Sequence, residues 1–442
     1  MFSYSMIQMV RGNTNKVDKE LRNQILKLHR PFKRTPCFLH KLLEGSFKRL
    51  RKLPLVIEFE HGQHHAGCSE VRQVTDRGIR HKFRHEFPRI SCCSVDVTPK
   101  GLEDLLASCH SIKRVYMNRK VHALLDVATD TINARDIVYN DTELTGENVS
   151  IAIIDTGIHP HQDLSGRIKA FADLVDDQTE PYDDNGHGTH CAGDAAGDGA
   201  ASSGQYRAPA HQADLIGVKV LNKMGSGSLE TVMRGVEWCI QYNENNPDDP
   251  IDVISMSLGS DPGSYNNEDD DPMVKVVEKA WEAGIVMCVA AGNSGPEPQS
   301  IASPGVSDQV ITVGALDDQD TAETRDDDTV AEFSGRGPTV YGKVKPDILA
   351  PGVDIVSLRA PNSYLDKTQS GSRVENDYFM LSGTSMATPI CAGAVALMKQ
   401  AYPDASPDEL KDLLKNGADV WTDKDPNVYG AGYLNVENTI GE

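Results

Sequence analysis

The chain has 442 residues, of which 39% are hydrophobic and 25% are charged, values ordinary for a globular protein with one large domain and smaller pieces. Its formal charge of −21 argues against nucleic-acid binding by the chain as a whole. No apolar run is as long as a bilayer span, and no signal peptide with an apolar core and cleavage site follows Met1. We therefore expect no membrane partner and no secretion by the general route.

The charge is unevenly distributed along the chain. Residues 1–125 hold 24 Lys and Arg against 11 Asp and Glu, whereas residues 126–442 hold 20 against 54. Because opposite charges attract, we expect the basic front segment to pack on, or guard, the acidic remainder, with salt screening part of this attraction.

The cysteine pattern favours a reducing compartment. The nine cysteines are odd in number and irregular in spacing. The motif C-x-x-C is absent, which argues against a metal or redox site. Free thiols and a missing signal peptide together predict a cytoplasmic protein.

The first 125 residues predict two segments. Residues 1–52 are basic with leucines at helical spacing, typical of a docking arm or equally of a solvated helical extension. Residues 53–125 predict a small α+β unit. Its strands are expected at 54–59, 79–90, 91–98 and 112–124, and its helices at 68–75 and 99–107.

From about residue 148 onward, strands and helices alternate. Short β-branched runs predict buried parallel strands at 149–154, 215–221, 253–258, 285–291 and 310–313. Amphipathic helices are expected over 229–240 and 273–281. This order predicts an α/β domain over 126–442 with a doubly wound, mostly parallel sheet, whose ligand site lies outside the carboxyl ends of the strands.

Four polar residues fall at this predicted edge of the sheet, and for each of them a structural role is an alternative to a catalytic one. Asp155 follows the first strand and could be a turn or capping aspartate. His187 begins a helix, where a histidine is often structural, as we expect for His190. Ser385 stands at a helix N-terminus, where N–H groups favour negative charge but where a plain N-cap serine is also frequent. Asn293 follows a strand and could be conformational or an amide donor.

The order of these residues narrows the interpretation. Asp…His…Ser along the chain matches the subtilisin arrangement and differs from the orders of chymotrypsin-type enzymes and α/β-hydrolases. Ala387 breaks the G-x-S-x-G pattern, so an esterase or lipase elbow is disfavoured.

The segments D-T-G, H-G-T-H-C-A-G, A-A-G-N and G-T-S-M-A-T-P resemble the signature blocks of the subtilisin-like serine peptidases. The resemblance covers about residues 148–440, and within the family the chain is most similar to the AprX-type intracellular alkaline serine proteases. It implies a serine endopeptidase with Ser385 as nucleophile, His187 as base and Asp155 as its partner. Asn293 and the Ser385 N–H would form the oxyanion hole.

The resemblance also implies a substrate site for proteins or peptides. Three residues would pair with an extended substrate: Ser257, Leu258 and Gly259. Three others would line the pocket for the residue before the cut: Ala290, Ala291 and Gly292. With Ala302 near its floor, this pocket predicts cleavage after Phe, Tyr, Leu or Met.

No cofactor is implied for catalysis, although the family often binds structural calcium. Asp163 matches a position that can serve as a calcium ligand, but residues 198–207 lack the usual calcium loop. Residues 53–125 resemble the inhibitory prodomain of these enzymes, so the N-terminal segment is expected to act as an intramolecular inhibitor and chaperone. Self-cleavage would fall around His122–Asp130.

Two further expectations concern activity. A catalytically silent relative that acts as a binding or scaffold protein is the alternative, and competent residue types at all four catalytic positions disfavour it. The acidic catalytic half favours protonated His187, so we expect activity to grow as the pH rises past the pKa of this histidine.

Overall fold

The computed structural model describes residues 12–13, 16–17, 21–22, 25, 52–78, 80–88, 91–117, 125–261, 265, 267–319, 321–322 and 324–441. The chain divides into two compact units, residues 1–122 and 123–442, three residues before the predicted boundary. The expected self-cleavage segment is only partly described, since residues 122–124 lie outside these ranges.

Over the described residues 52–117, the N-terminal unit contains the four strands and two helices that were predicted, and the strands form an antiparallel sheet. The strand order is β2-β3-β1-β4. Its elements are β1 (Leu53–Phe59), α1 (His64–Thr75), β2 (Lys82–Phe87), β3 (Cys92–Val97), α2 (Pro99–Ser108) and β4 (Ile112–Met117). Helix α1 begins four residues earlier than predicted, and residues 118–124 of the expected last strand lie outside the described part.

Three described residues of the segment 1–52 lie in the core of the small α+β unit. Val17, Leu21 and Ile25 are buried in the same core as β1, and Val17 forms a bridge to Val115 of β4. Burial of these apolar side chains against the sheet is favourable. Most of the predicted extension over 1–52 lies outside the described residues, so its assignment as a separate segment stays a prediction.

The second unit is built on an eight-stranded, mostly parallel sheet, which confirms the predicted doubly wound architecture. Its order is β13-β12-β11-β10-β7-β9-β8, with β14 also beside β12 and only β13 antiparallel. The strands of this unit are β5 (Val138–Tyr139), β6 (Thr142–Glu143), β7 (Ser150–Asp155), β8 (Ile168–Asp173), β9 (Asp214–Lys219), β10 (Val253–Met256), β11 (Val286–Ala290), β12 (Ile311–Asp317), β13 (Thr329–Val330), β14 (Ile348–Pro351), β15 (Ile355–Leu358), β16 (Arg373–Val374) and β17 (Tyr378–Leu381).

Helices of this unit begin at recognisable capping residues. Ser228 accepts from the Thr231 N–H before α5, and Ser406 and Glu409 form a capping box before α9. The helices are α3 (Leu125–Thr131), α4 (His187–Ala196), α5 (Leu229–Asn245), α6 (Pro272–Glu282), α7 (Tyr364–Thr368), α8 (Thr384–Ala401), α9 (Pro407–Asn416), α10 (Pro426–Tyr429) and α11 (Val436–Ile440).

The topology brings the carboxyl ends of β7, β10 and β11 together. Strand β7 has β9 as its neighbour on one side and β10 on the other, and β10 is followed in the sheet by β11 and β12. Strand order reverses around β7, and the crevice at such a reversal is where α/β sheets bind ligands.

Two findings bear on earlier expectations. In the described part of the chain, no helix combines the length and apolar character that crossing a bilayer requires. None of the eight described cysteines forms a disulfide, and all eight are buried, while Cys37 lies outside the described residues.

Candidate active site

Asp155 and His187 form a close hydrogen-bonded pair. Asp155 is the last residue of β7 and is fully buried, and His187 is the first residue of α4. The His187 Nδ1 lies 2.8 Å and 2.9 Å from the two carboxylate oxygens of Asp155. Gly188 allows α4 to approach β7, because a Cβ there would lie 2.3 Å from the carbonyl oxygen of Gly157 and 3.1 Å from Asp155 Cβ.

The charge of Asp155 controls the protonation of His187. Burial alone lowers the pKa of the imidazole, but the Asp155 carboxylate opposes this and raises the pKa well above its ordinary value. Burial raises the pKa of the neighbouring Cys191 thiol to about 11, so this group is uncharged at neutral pH. Asp155 is therefore the negative charge that acts on the imidazole.

Ser385 lies in the first turn of α8, partly exposed. Its Oγ donates to the carbonyl oxygen of Ser257 at 3.2 Å, and Ser257 Oγ donates to the Ser385 carbonyl oxygen at 2.8 Å. Cys191 Sγ donates to the same oxygen at 3.4 Å and lies 3.8 Å from His187 Nδ1. Among the hydrogen bonds of the described residues, none joins the Ser385 hydroxyl directly to the imidazole. The Cys191 thiol instead contacts both residues, at the Ser385 carbonyl oxygen and at His187 Nδ1.

Asn293 faces the same place from the end of β11. Its Oδ1 accepts from the Thr384 N–H and the Thr384 Oγ1, both at 2.9 Å. With the amide oxygen held this way, the Nδ2 donor is the end of the amide left for the cleft. The Ser385 N–H belongs to the first turn of α8, where N–H groups have no partner within the helix.

Two cavities flank the segment 257–260. The first, about 220 Å³, is lined by Ser385 and Asn293 and by most of the predicted pocket, including Ala290, Gly292 and Ala302. Ala291 is not part of its lining; it is buried and hydrogen bonds to the Ala302 N–H.

The second cavity, about 560 Å³, lies on the His187 side. Ser257, Leu258 and Gly259 line both cavities. The apolar wall of the second includes Leu221 and Met224, which the sequence analysis did not identify.

Sequence reasoning also missed two charged residues that support the site. Asp183 accepts from Thr156 Oγ1 at 2.9 Å and from the Thr189 N–H and hydroxyl, which joins the end of β7 to α4. The signal for it is the first aspartate of D-D-N-G-H, because an aspartate before such a turn typically accepts from N–H groups within it, as Asp183 does from Asn185 and Gly186.

Lys219 ends β9 directly beside Asp155 and is fully buried. Its Nζ donates to the carbonyl oxygens of Thr156 and Leu221 and to Asp184. A lysine that ends an apolar strand, as in L-I-G-V-K, is expected to be buried, and a buried lysine needs hydrogen-bond acceptors or an opposite charge.

The surroundings of Asp163 do not fit a calcium ion. Its two carboxylate oxygens accept from the Ala201 N–H at 2.8 Å and the Tyr378 hydroxyl at 2.7 Å. Calcium requires several oxygen ligands, whereas these neighbours present hydrogens. Calcium at Asp163 therefore remains a prediction without support from these contacts.

The chain belongs to the subtilase family and is a subtilisin-like serine protease: residues 146–432 match the Subtilase family. Among curated proteins it is similar to Serine protease AprX of Bacillus subtilis, with 61% identity over 440 residues, 100% of this chain and 99% of that protein. The Thermostable alkaline protease of Halalkalibacterium halodurans is 33% identical over 373 residues, 83% of this chain and 89% of that protein.

Solved structures give the same fold. Sphericase matches with a TM-score of 0.57 and 27% identity, covering 70% of this chain and 97% of that chain. A cold adapted subtilisin-like serine proteinase matches with a TM-score of 0.51 and 28% identity over 71% of this chain and 97% of that chain.

Proposed function

We propose that this serine endopeptidase cuts peptide bonds with Ser385 as nucleophile, His187 as general base and Asp155 as the group that orients the imidazole. The observation that carries the assignment is the pair of contacts between His187 Nδ1 and the buried Asp155 carboxylate, at 2.8 Å and 2.9 Å. These contacts fix the proton on Nδ1 and leave Nε2 free to accept one.

In the first step, Ser385 Oγ forms a bond to the scissile carbonyl carbon and its proton passes to His187 Nε2. For this the hydroxyl must turn from the Ser257 carbonyl oxygen to the imidazole, a rotation about one side-chain bond. The tetrahedral intermediate then collapses, the amide bond breaks, and His187 delivers the proton to the leaving amine. Water attacks the resulting acyl-enzyme by the same proton route.

The oxyanion of each tetrahedral intermediate would be held by Asn293 Nδ2 and the Ser385 N–H. Both groups lie at the small cavity, and Thr384 holds the amide oxygen away from it. Donors held in place before the reaction stabilise developing charge without reorganisation.

Substrate would bind as an added strand along the segment Ser257–Gly259, since backbone pairing tolerates many sequences. The 220 Å³ cavity would take the side chain before the cut, and its small lining residues favour large apolar groups. Ala302→Leu fills this space, so we expect kcat/KM to fall about 10–200-fold for substrates with Phe before the cut. Substrates with Ala at that position serve as the control and should be affected much less; an equal loss for both would contradict the pocket assignment.

The direct test of the mechanism compares Ser385 with Ser382, a serine three residues before it in the chain. We expect Ser385→Ala to lower kcat by about 10⁶-fold, a magnitude measured on the relative subtilisin. Ser382 is exposed and bonds Asp354, so Ser382→Ala should keep most of the activity. Peptidase activity in Ser385→Ala close to that of the wild-type protein would overturn the assignment. At the site itself, no observation favours the alternative of a catalytically silent protein.

The N-terminal unit is, in our proposal, an intramolecular inhibitor and chaperone of the protease. Its compact α+β fold and its excess of basic residues, in a chain whose catalytic unit is acidic, support this role.

We also propose that the enzyme works in the cytoplasm, which the absence of disulfides among the described cysteines supports, and that it needs no cofactor, nucleic acid or membrane. Cell fractionation tests the location.

A further inference from the structure

Four potential metal ligands meet on one side of the N-terminal unit, far in sequence from the triad. We call His64, Cys68, Glu86 and Cys93 the thiol–imidazole cluster. His64 and Cys68 are one turn apart on α1 and therefore share a helix face. Glu86 of β2 lies directly opposite Cys93 of β3, so both side chains emerge on the same face of the sheet.

The distances within this cluster are those of ligands around a small metal ion. His64 Nε2 lies 3.8 Å from Cys68 Sγ and 3.7 Å from Glu86 Oε2, and the three ligand atoms all lie within 4.8 Å of one another. Tetrahedral zinc with bonds of about 2.0–2.3 Å separates its ligand atoms by about 3.3–3.8 Å. The imidazole–carboxylate contact is too long for a hydrogen bond, yet close to this spacing.

Cys93 supplies the fourth position. Its thiol interacts with that of Cys68, and both are buried. On binding, each sulfur loses its proton to solvent and forms a bond to the metal, with no change of oxidation state.

The surroundings of the cluster complete a metal site. Arg72 donates to Glu86 Oε1 at 2.6 Å, which turns Oε2 toward His64. Two thiolates and one carboxylate carry one negative charge more than Zn²⁺, and the Arg72 guanidinium offsets it. The buried Phe59 ring stands edge-on to His64 with centroids 6.0 Å apart, and the exposed Glu86 gives solvent access.

From this geometry we infer that the N-terminal unit binds one Zn²⁺ through His64, Cys68, Glu86 and Cys93. Thiolate and imidazole ligands select zinc over calcium or magnesium, which prefer oxygen. Because the ligands come from α1, β2 and β3, the ion joins the helix to the sheet. Sequence reasoning argued against a metal site because it searched for C-x-x-C; these ligands are brought together by folding.

The test uses the full chain as Ser385→Ala, which removes self-cleavage and makes the result independent of the catalytic proposal. After chelator treatment, the protein is titrated with Co²⁺ and with Zn²⁺. We expect one equivalent to bind, with sulfur-to-cobalt charge-transfer absorption and the visible bands of tetrahedral Co²⁺, displaced by Zn²⁺. No saturable binding, or a Co²⁺ spectrum without sulfur bands, would overturn the proposal.

Matched variants locate the ion. Cys68→Ser and His64→Ala should each weaken Zn²⁺ binding at least tenfold in competition with a chromophoric chelator. Cys109→Ser changes a buried thiol of the same unit outside the cluster and should leave the affinity unchanged. Equal Zn²⁺ affinity in Cys68→Ser and Cys109→Ser would place the metal elsewhere and overturn the proposal. Circular dichroism checks that each variant folds. If a variant does not fold, the Co²⁺ spectrum of the Ser385→Ala protein still tests the proposal.

Discussion

At the residue scale, the position of Ser385 depends on what holds its backbone. Ser257 Oγ and Cys191 Sγ both donate to the Ser385 carbonyl oxygen, at 2.8 Å and 3.4 Å. One donor comes from the end of β10 and the other from α4, the helix that begins with His187. The first turn of α8 is thus tied to the end of β10 and to α4, and the Ser385 hydroxyl itself donates to the carbonyl oxygen of Ser257 at 3.2 Å.

The amide of Asn293 offers a residue-scale prediction. Replacing it with Ala removes a donor that acts only when the oxyanion forms, so kcat should fall about 10²–10³-fold while KM changes little; the magnitude comes from subtilisin. Steady-state kinetics with a peptide anilide measure both constants. A loss confined to KM would mean that Asn293 binds substrate and does not stabilise the transition state.

The pH dependence follows from the pair His187–Asp155. The folded pKa of the imidazole is raised, and the protonated form cannot accept the Ser385 proton. Activity is therefore lost as pH falls through this pKa, and the loss occurs at higher pH than for an unperturbed histidine. We expect the acid limb of kcat/KM to have its midpoint above about 6.5. A midpoint below that value would contradict the dominance of the Asp155 charge.

At the element scale, α4 and α8 carry His187 and Ser385 at their first turns and pack closely against each other. A Cβ at Gly393 would lie 2.6 Å from the carbonyl oxygen of Ala195. This backbone atom cannot move without shifting a helix, so the two helices approach through glycine.

We therefore expect Gly393→Ala to destabilise the catalytic unit by about 1–3 kcal/mol, although Ala usually favours helices over Gly. Urea unfolding in the Ser385→Ala background measures this free energy. Gly371→Ala, where an added Cβ meets nothing within 4 Å, is the control and should change stability by less than about 0.5 kcal/mol. Unchanged or increased stability in Gly393→Ala would show that the helices can separate freely.

The same scale shows how far sequence reasoning reached. Strand β7 was predictable because its four central residues, Ile151–Ile154, are consecutive apolar residues, and the whole strand is buried. Strands β15–β17 were missed because they span only two to four residues, too short for a periodic pattern. The roles of Asp183 and Lys219 were missed because both side chains bond Thr156, which lies 27 and 63 residues away from them in the chain.

At the scale of the whole molecule, the opposite charges of residues 1–125 and 126–442 remain to be explained. An inhibitor that also assists folding would account for both the charge and the separate α+β core. We expect residues 126–442 to refold slowly alone and faster with residues 1–125 added in trans, and we expect these residues to inhibit the refolded enzyme. Raising the salt concentration should weaken the inhibition.

The control for this prediction is the basic protein lysozyme at equal concentration, which carries charge without the fold of the N-terminal unit. Equal effects of lysozyme and residues 1–125 would reduce the interaction to net charge. If adding residues 1–125 changed neither the refolding rate nor the activity of residues 126–442, the prodomain role would be contradicted.

The most direct measurement of the central claim is labelling by a serine-directed fluorophosphonate, followed by mass spectrometry of the digested protein. We predict a single adduct on Ser385, no adduct in Ser385→Ala, and much slower labelling in His187→Ala, where the base is missing. Absence of an adduct in the wild-type protein, or an adduct on another serine with Ser385 unmodified, would contradict the account.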